Sequence, residues 1–428
     1  MTVIENLGVN AGYGTRGLGW VNERRERAVY SRIMDRVGVQ LPVNAPVSGL
    51  SQAERAMLAV VRAMRVLEDS SSSHGGEHLF ILDEPTAPLS DGDASVVLDL
   101  MRRIASTGAG VVFISHGLNE VLASCDRMTV LRAGRRVVSG SVDGLTRGDI
   151  VAHMLGERLD EFFPTPTPVR SDRTVLSVAG LGGGSVDDVS FRVREGEILG
   201  LTGLVGMGQS EVLSLVFGGQ PRRSGTIALA DPERTTRTPA HSVRAKVGFV
   251  PSDRVGAGCW VDGSAAENVT LPVLGSLTGP LGLRLGRERR LAERHVAESG
   301  AVPAQPDLAM RAFSGGNQQK LVIEKWRQLA PDVLLLDEPT QGVDPAAAKA
   351  ILDRIVADAA AGMGVVICSG DYEQLAAVCH RVLVFSGGSV RVELAGSALT
   401  EAAIILACEV SMDVISDVDR PDSGGDSA

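Results

Sequence analysis

The pentapeptide Leu-Asp-Glu-Pro-Thr occurs twice, at Leu82–Thr86 and Leu336–Thr340. A long-period internal repeat constrains architecture more than any local propensity, because each copy must fold as a like unit. Each copy follows a short aliphatic run, Leu79-Phe80-Ile81 and Val333-Leu334-Leu335, of the kind that forms a buried parallel strand. Each is followed by a second such run, Gly110–Ile114 and Gly364–Ile367, and the distances from Asp83 to His116 and from Asp337 to Gly370 are both 33 residues. Upstream of each copy a Ser-led segment opens a helical pattern, Ser51-Gln52-Ala53-Glu54 and Ser314-Gly315-Gly316-Asn317, at 32 and 23 residues from the acidic pair. The Ser/Gly-rich insert around Ser70–Gly76 accounts for the difference as a surface loop. Glu5-Asn6 and Glu267-Asn268 are a further matched pair.

The second copy carries an opening that the first does not show. Ile198–Gly203 reads as a strand leading into the Gly-rich turn Leu204–Ser210, and Gly208 precedes Asn268 by 60 residues. The same turn in the first copy falls ahead of Met1, so the first copy is expected to lack about 90 residues if it begins as the second does near Thr174. The reading is therefore an α/β chain with a first unit at 1–160, a Pro-rich linker at 161–173 (Pro164, Pro166 and Pro168), a second unit at 174–412, and an acidic disordered tail at 413–428.

The chemistry concentrates at four kinds of place. Gly203-x4-Gly208-Gln209-Ser210 has the frame of a phosphate loop, in which backbone N–H groups wrap a phosphate at a helix start and Ser210 ligates Mg²⁺. Gln209 stands where a lysine would pair the terminal phosphates. A carboxylate ending a buried strand can hold the nucleotide's Mg²⁺ (Asp83, Asp337), and the next can polarise attacking water (Glu84, Glu338). Gly315 and Gly316 after Ser314 allow a second phosphate approach to backbone N–H groups, which the Ser51–Glu54 segment, lacking glycines, does not. His116 ends a strand where a donor to a γ-phosphate is wanted; Gly370 in its place offers no side chain.

Composition narrows the alternatives. A net charge of −10 disfavours a sequence-independent nucleic-acid binder. Five scattered cysteines in no metal-ligand spacing exclude a disulfide scaffold or a zinc protein and read as reduced thiols of a cytosolic protein. Apolar runs are too short for a transmembrane helix, and Met1–Asn6 has neither the basic nor the apolar region of a signal peptide.

Taken together, these residues resemble the ATP-binding cassette (ABC) ATPases, and among them the fused two-cassette subunit that drives bacterial monosaccharide importers. The resemblance rests on Phe313-Ser314-Gly315-Gly316-Asn317-Gln318-Gln319-Lys320, both Asp-Glu-Pro-Thr segments, Ser115-His116 and Ser369-Gly370-Asp371-Tyr372, and covers about Thr2 to Val410. It implies two P-loop nucleotide-binding domains in tandem, each a mixed sheet with helices plus a helical signature subdomain, the first incomplete. It implies ATP and Mg²⁺ as cofactors, with Glu84, His116 and Glu338 catalytic and Asp83, Asp337 and Ser210 on the metal. Gly203, Gly206, Gly208, Gln209, Ser210, Ser314, Gly315, Gly316 and Gln318 are implied at the nucleotide.

In the family two cassettes close head to tail, each site joining one cassette's phosphate loop to the other's signature. One site would use Asp83, Glu84 and His116 with Ser314–Gly316; the other Gln209, Ser210, Asp337 and Glu338 with Ser51–Glu54, facing Gly370. The second cassette typically lacks the loop lysine and the switch histidine, as here; Ser252 departs from the family's Glu before Asp253-Arg254. Because the intact site lacks its loop, the chain as given is expected to hydrolyse ATP poorly. Implied partners are membrane permease subunits and, through them, a periplasmic-type sugar-binding protein, placing the chain peripherally on the cytoplasmic face of the membrane. A second copy or a missing N-terminal fragment is a further candidate partner. The alternatives are a non-catalytic nucleotide-binding or regulatory cassette protein, a nucleoside importer, and a translation-factor cassette pair, which would carry a long charged linker instead of a short Pro-rich one.

Overall fold

The computed structural model describes every residue except 10–14, 17–19, 72–77, 87–88, 90, 116, 133, 156–161, 281 and 419–428. The chain divides into two compact units, Met1–Arg158 and Leu159–Ala428. In the first, α1 (Val3–Leu7), the short strands β1 (Thr15–Arg16) and β2 (Trp20–Val21), α2 (Glu23–Val37) and α3 (Gln52–Ser71) come first. They lead to β3 (Leu79–Asp83), α4 (Asp91–Ser106), β4 (Gly110–Ile114), α5 (Leu118–Ser124), β5 (Arg127–Arg132), β6 (Arg135–Ser141) and α6 (Arg147–Leu155).

The second unit opens with β7 (Thr174–Gly183), β8 (Val186–Arg194), β9 (Ile198–Gly203), α7 (Gln209–Phe217), β10 (Ser224–Leu229), α8 (Pro239–Arg244) and β11 (Val247–Val250). The order of the first unit then recurs as α9 (Ala265–Thr270), α10 (Leu274–Leu277), β12 (Thr278–Gly279), β13 (Gly282–Leu283), α11 (Leu285–Glu298) and α12 (Gly315–Arg327). It continues as β14 (Val333–Asp337), α13 (Pro345–Ala360), β15 (Gly364–Cys368), α14 (Tyr372–Val378), β16 (Arg381–Ser386), β17 (Ser389–Ala395) and α15 (Glu401–Val418). Each element from β3 to α6 starts 254 positions before its counterpart.

Local chemistry explains the recurrences. The matched Glu-Asn pairs lie in the first turn of α1 and α9, where Thr2 with Glu5 and Ser264 with Glu267 form capping boxes that satisfy otherwise orphaned helix-start donors. Helix α13 starts at Pro345 behind Asp344, whose carboxylate accepts the Ala347 N–H.

In the second unit a six-stranded sheet runs β11–β14–β15–β9–β16–β17, parallel except for β17, and β10–β7–β8 forms a separate antiparallel sheet. Alternate residues feed two cores, as the period of two along a strand requires. Val333, Leu335, Val366, Cys368, Leu383 and Phe385 pack against α7, β7 and β8. Leu334, Leu336, Val365, Ile367, Val382 and Val384 pack on the other face against α9, α12, α13 and α15. The sheet is thus covered on both sides, which is why its strands read as continuous aliphatic runs. The helices α9–α12 form the insertion between β11 and β14.

In the first unit the equivalent strands form two separate pairs, β3–β4 and β5–β6. Phe80, with the partly buried Leu82 and Val111, packs towards α1–α4.

Three readings are refined. Helix α15 reaches Val418, so residues 413–418 are helical and not the start of a disordered tail; no Gly or Pro interrupts the run from Glu401 until Pro421. The Pro-rich segment lies on the second unit: the Thr167 carbonyl meets His380 Nε2 at 2.8 Å, and Phe163 packs on its core. Ser70 and Ser71 of the insert belong to α3, and 72–77 lie outside the described residues.

Candidate functional site

The chemistry of the second unit gathers at the ends of β9, β14 and β15, where strands of a parallel sheet deliver side chains to one edge. The turn after β9 is built on glycine. Gly206 and Gly208 have φ of 86° and 94°, a conformation that L side chains avoid. A Cβ at Gly203 would sit 2.8 Å from the Phe385 carbonyl oxygen. Gly208 leads into α7, a helix of nine residues.

Gln209 does not extend outward from this loop. Its Nε2 donates to the carbonyls of Gly203 (3.0 Å) and Leu204 (3.1 Å), while its Oε1 is buried without a partner. The amide therefore ties the loop to itself where a lysine would present a full positive charge. The next residue, Ser210, places its hydroxyl 3.5 Å from Cys368 Sγ.

Asp337 ends β14 buried. Its Oδ2 accepts the Ser252 hydroxyl at 2.8 Å, and its Oδ1 is buried with no protein partner. Burial raises its pKa above the ordinary aspartate value, against the hydrogen bond from Ser252 that lowers it. A buried carboxylate oxygen with no donor, beside a serine hydroxyl, has the donor chemistry of a hard divalent cation site. Ser252, which stands where the resemblance implies a glutamate, thus serves as a neutral donor to Asp337; no sequence pattern signals this, because the two residues meet through tertiary contact.

Glu338 follows in a left-handed turn (φ 47°), its N–H bonded to the Cys368 carbonyl. Its carboxylate accepts the Ser369 hydroxyl at 3.0 Å and the Gly370 N–H at 2.7 Å. Burial pushes its pKa up to about 7. Gly370 therefore contributes a backbone donor, while His116, at the matching position of the first unit, lies outside the described residues.

The first unit repeats the acidic turn but not its surroundings. Glu84 has φ 44° and bonds its N–H to the Ile114 carbonyl, as Glu338 does to Cys368. Yet Asp83 and Glu84 are both exposed. The Ser115 hydroxyl goes to Glu120 (2.8 Å), which also accepts from Thr86 (2.7 Å); in the second unit the corresponding Thr340 bonds Gln374 instead.

The two Ser-led helix starts differ as their glycines suggest. Ser51 caps α3 in a reciprocal pair with Glu54, at 3.2 and 2.8 Å, so a carboxylate occupies that end. Ser314 makes no cap to α12; its hydroxyl accepts the Asn317 amide instead, which leaves the helix start without a side-chain cap. Close packing also requires the glycines. A Cβ at Gly316 would lie 2.7 Å from Ala347 Cβ, and one at Gly315 3.0 Å from the Arg254 guanidinium. Gln318 points inward, accepting from Arg254 and donating to the Met310 carbonyl, and so is engaged within the unit.

All five cysteines are free thiols. No helix among the described residues is long and apolar enough to cross a membrane.

Residues 186–341 match the family model described as ABC transporter. A ribose/galactose/methyl galactoside import ATP-binding protein of Agrobacterium fabrum is 37% identical over 347 residues, covering 81% of this chain and 69% of the relative. The ribose import ATP-binding protein RbsA of Chelativorans sp. is 34% identical over 408 residues, covering 95% and 78%. The Bacillus subtilis protein of that name is 30% identical over 406 residues, covering 95% and 80%. Among solved structures, a nucleotide-free ATP-binding cassette from an ABC transporter superposes on 56% of this chain and 98% of its own, at 17% identity and a TM-score of 0.47.

Proposed function

The chain belongs to the ABC transporter family of ATP-binding proteins, and on that premise we propose that it couples ATP binding and hydrolysis to import of a small carbohydrate through a membrane permease. The sugar class is supported by relatives named for ribose and galactose import. The observation that carries the nucleotide role is the buried, unpartnered Asp337 Oδ1 beside Ser210 at the mouth of a glycine-built turn. Asp337 and Ser210 would hold Mg²⁺, which supplies positive charge to the nucleotide phosphates when bound. The backbone of Gly203–Gln209 cradles the phosphates, and the uncapped start of α12, at Ser314–Gly316, is a candidate set of N–H donors for a second nucleotide. Glu84 and Glu338 are the candidate bases for water. In this reading the chain acts peripherally at the cytoplasmic side of a membrane, held there by the permease, which with its binding protein selects the cargo.

Gln209 favours a second reading, a nucleotide-binding unit that does not hydrolyse, because its amide is spent on the loop's own carbonyls. Titration calorimetry with Mg·ATP and a phosphate-release assay separate the two. The transport reading expects binding that Asp337→Asn weakens at least tenfold, and phosphate release that Glu84→Gln or Glu338→Gln lowers. Binding without release that either exchange changes leaves the second reading; no binding at all sinks both. Deletion of the gene is expected to abolish uptake of a pentose or hexose, and loss of nucleoside uptake alone would overturn the sugar assignment.

A further inference from the structure

A second concentration of chemistry lies in the helical insertion between β11 and β14. A cavity of about 400 Å³ opens there, and none of its lining residues belongs to the glycine turn or the strand-end acids. Its inner part is apolar, with Leu277 of α10 buried and Leu291 of α11 half-buried. Its outer part is basic, formed by the exposed Arg287, Arg290 and Arg294 of α11. Steps of three and four residues place these arginines on one face of the helix.

The positive charge of that face is not spent within the unit. Among the described residues Arg287 and Arg290 make no ion pair and no side-chain hydrogen bond. The acids of the helix are engaged elsewhere: Glu288 accepts the Thr270 hydroxyl at 3.0 Å, and Glu293 is bonded by Arg289, which also reaches Asp307. Like charges three and four residues apart on a helix repel, and cations in its first turns oppose its dipole. The cluster therefore costs stability until an anion joins it, and it does so on a chain whose net charge is −10.

Arg294 is held in place from behind. Its Nη2 lies 3.2 Å from His295 Nε2, and His295 Nδ1 lies 2.8 Å from Glu324 Oε1. The other oxygen of Glu324 accepts from Arg327 at 2.6 Å, and Arg327 bonds Asp358 of α13 at 2.7 Å. This wall of the cavity is thus tied to α12 and α13, so a ligand meets a guanidinium already oriented. His295, Glu298 and Glu324 converge closely enough to hold a cation, but Arg294 and Arg327 stand against them and the charge left over is positive.

We propose that this cavity binds a small organic phosphate monoester, with its phosphate among Arg287, Arg290 and Arg294 and its carbon skeleton against Leu277 and Leu291. A doubly charged phosphate with three acceptor oxygens matches several guanidinium forks at once, which a single carboxylate does not. The volume admits a phosphate with a short carbon skeleton. An anionic lipid headgroup shares this chemistry, but its acyl chains do not fit a cavity of about 400 Å³, so the free monoester is the ligand assigned. Nothing in this assignment rests on the ATP reading.

Calorimetry on the full chain with glycerol 3-phosphate, ribose 5-phosphate, glucose 6-phosphate and inorganic phosphate tests it. At least one ester is expected to bind, about tenfold or more tighter than inorganic phosphate. Arg287→Gln and Arg290→Gln are each expected to weaken that ester about tenfold, as loss of one charge-assisted contact does. Leu291→Ala is expected to weaken the ester and leave inorganic phosphate unchanged. Asp337→Asn, which the proposed function expects to weaken ATP, is expected to leave ester affinity unchanged, so the two readings fail separately. The proposal is overturned if no ester binds, or if inorganic phosphate binds as tightly. Binding that neither arginine exchange weakens also overturns it, since capture by the glycine turn would read that way. Cosedimentation with vesicles of phosphatidylcholine and phosphatidylglycerol that the arginine exchanges abolish, without ester binding, would assign the cluster to a lipid headgroup and overturn it too.

Discussion

At the scale of single residues, two substitutions separate the chemistry of the second unit from its scaffold. Glu338 holds its proton up to about pH 7 because burial disfavours the carboxylate, whereas an unfolded glutamate releases it near 4.5. The folded state therefore binds more protons between those values, and stability is lost as pH rises through that window. Glu338→Gln removes the loss: denaturation midpoints of parent and variant are expected to run parallel below pH 4.5 and to differ above pH 7 by roughly 3 kcal/mol in the variant's favour. Curves that stay parallel across the window would show that Glu338 ionises freely. Gln209→Lys tests the loop. A charged donor to the terminal phosphates contributes on the order of 1.5–3 kcal/mol, so ATP affinity by calorimetry is expected to rise about ten- to hundredfold. An unchanged affinity would mean that the loop does not face the phosphates.

At the scale of elements, helix starts carry the difference between the two copies. Helix α3 is closed by its own Ser51–Glu54 pair, while α12 keeps its start clear of side-chain caps and packs its second glycine directly against α13. Gly316→Ala places a methyl where Ala347 Cβ already lies 2.7 Å away, so α12 or α13 must shift. The expected cost of overpacking is about 1–3 kcal/mol in chemical denaturation, against at most about 1 kcal/mol gained from alanine's helix propensity; a stabilised variant would show that the contact relaxes freely. The acidic turns are alike at this scale. Glu84 and Glu338 share a left-handed φ and the same backbone hydrogen bond, and differ in what surrounds them.

At the scale of the whole molecule, the second unit buries both faces of its sheet while, among the described residues, the first leaves the face of Leu79, Ile81, Val112 and Ile114 exposed, which sets their relative resistance to opening. Native-state hydrogen exchange on the 428-residue chain is expected to protect β14 and β15 at least a hundredfold more than β3 and β4, since local opening follows buried apolar contact. Equal protection would mean that the exposed aliphatics are covered in solution. Much of this was written in the sequence by itself. The repeated Leu-Asp-Glu-Pro-Thr and its constant spacing fix two like α/β units, the strand-end acids and the glycine turn, because strand runs, turn glycines and helix caps are local patterns. The sequence also separated a glycine-bearing helix start at Ser314 from one without glycines at Ser51. It did not reveal the hydroxyl that Ser252 gives Asp337 across 85 positions, the inward turn of Gln209 and Gln318, or the burial that lifts Glu338 while leaving Glu84 in solvent. Those depend on which distant segments pack together, and identical pentapeptides acquire different environments when α7 covers the sheet face beside one and, among the described residues, no helix covers that face beside the other.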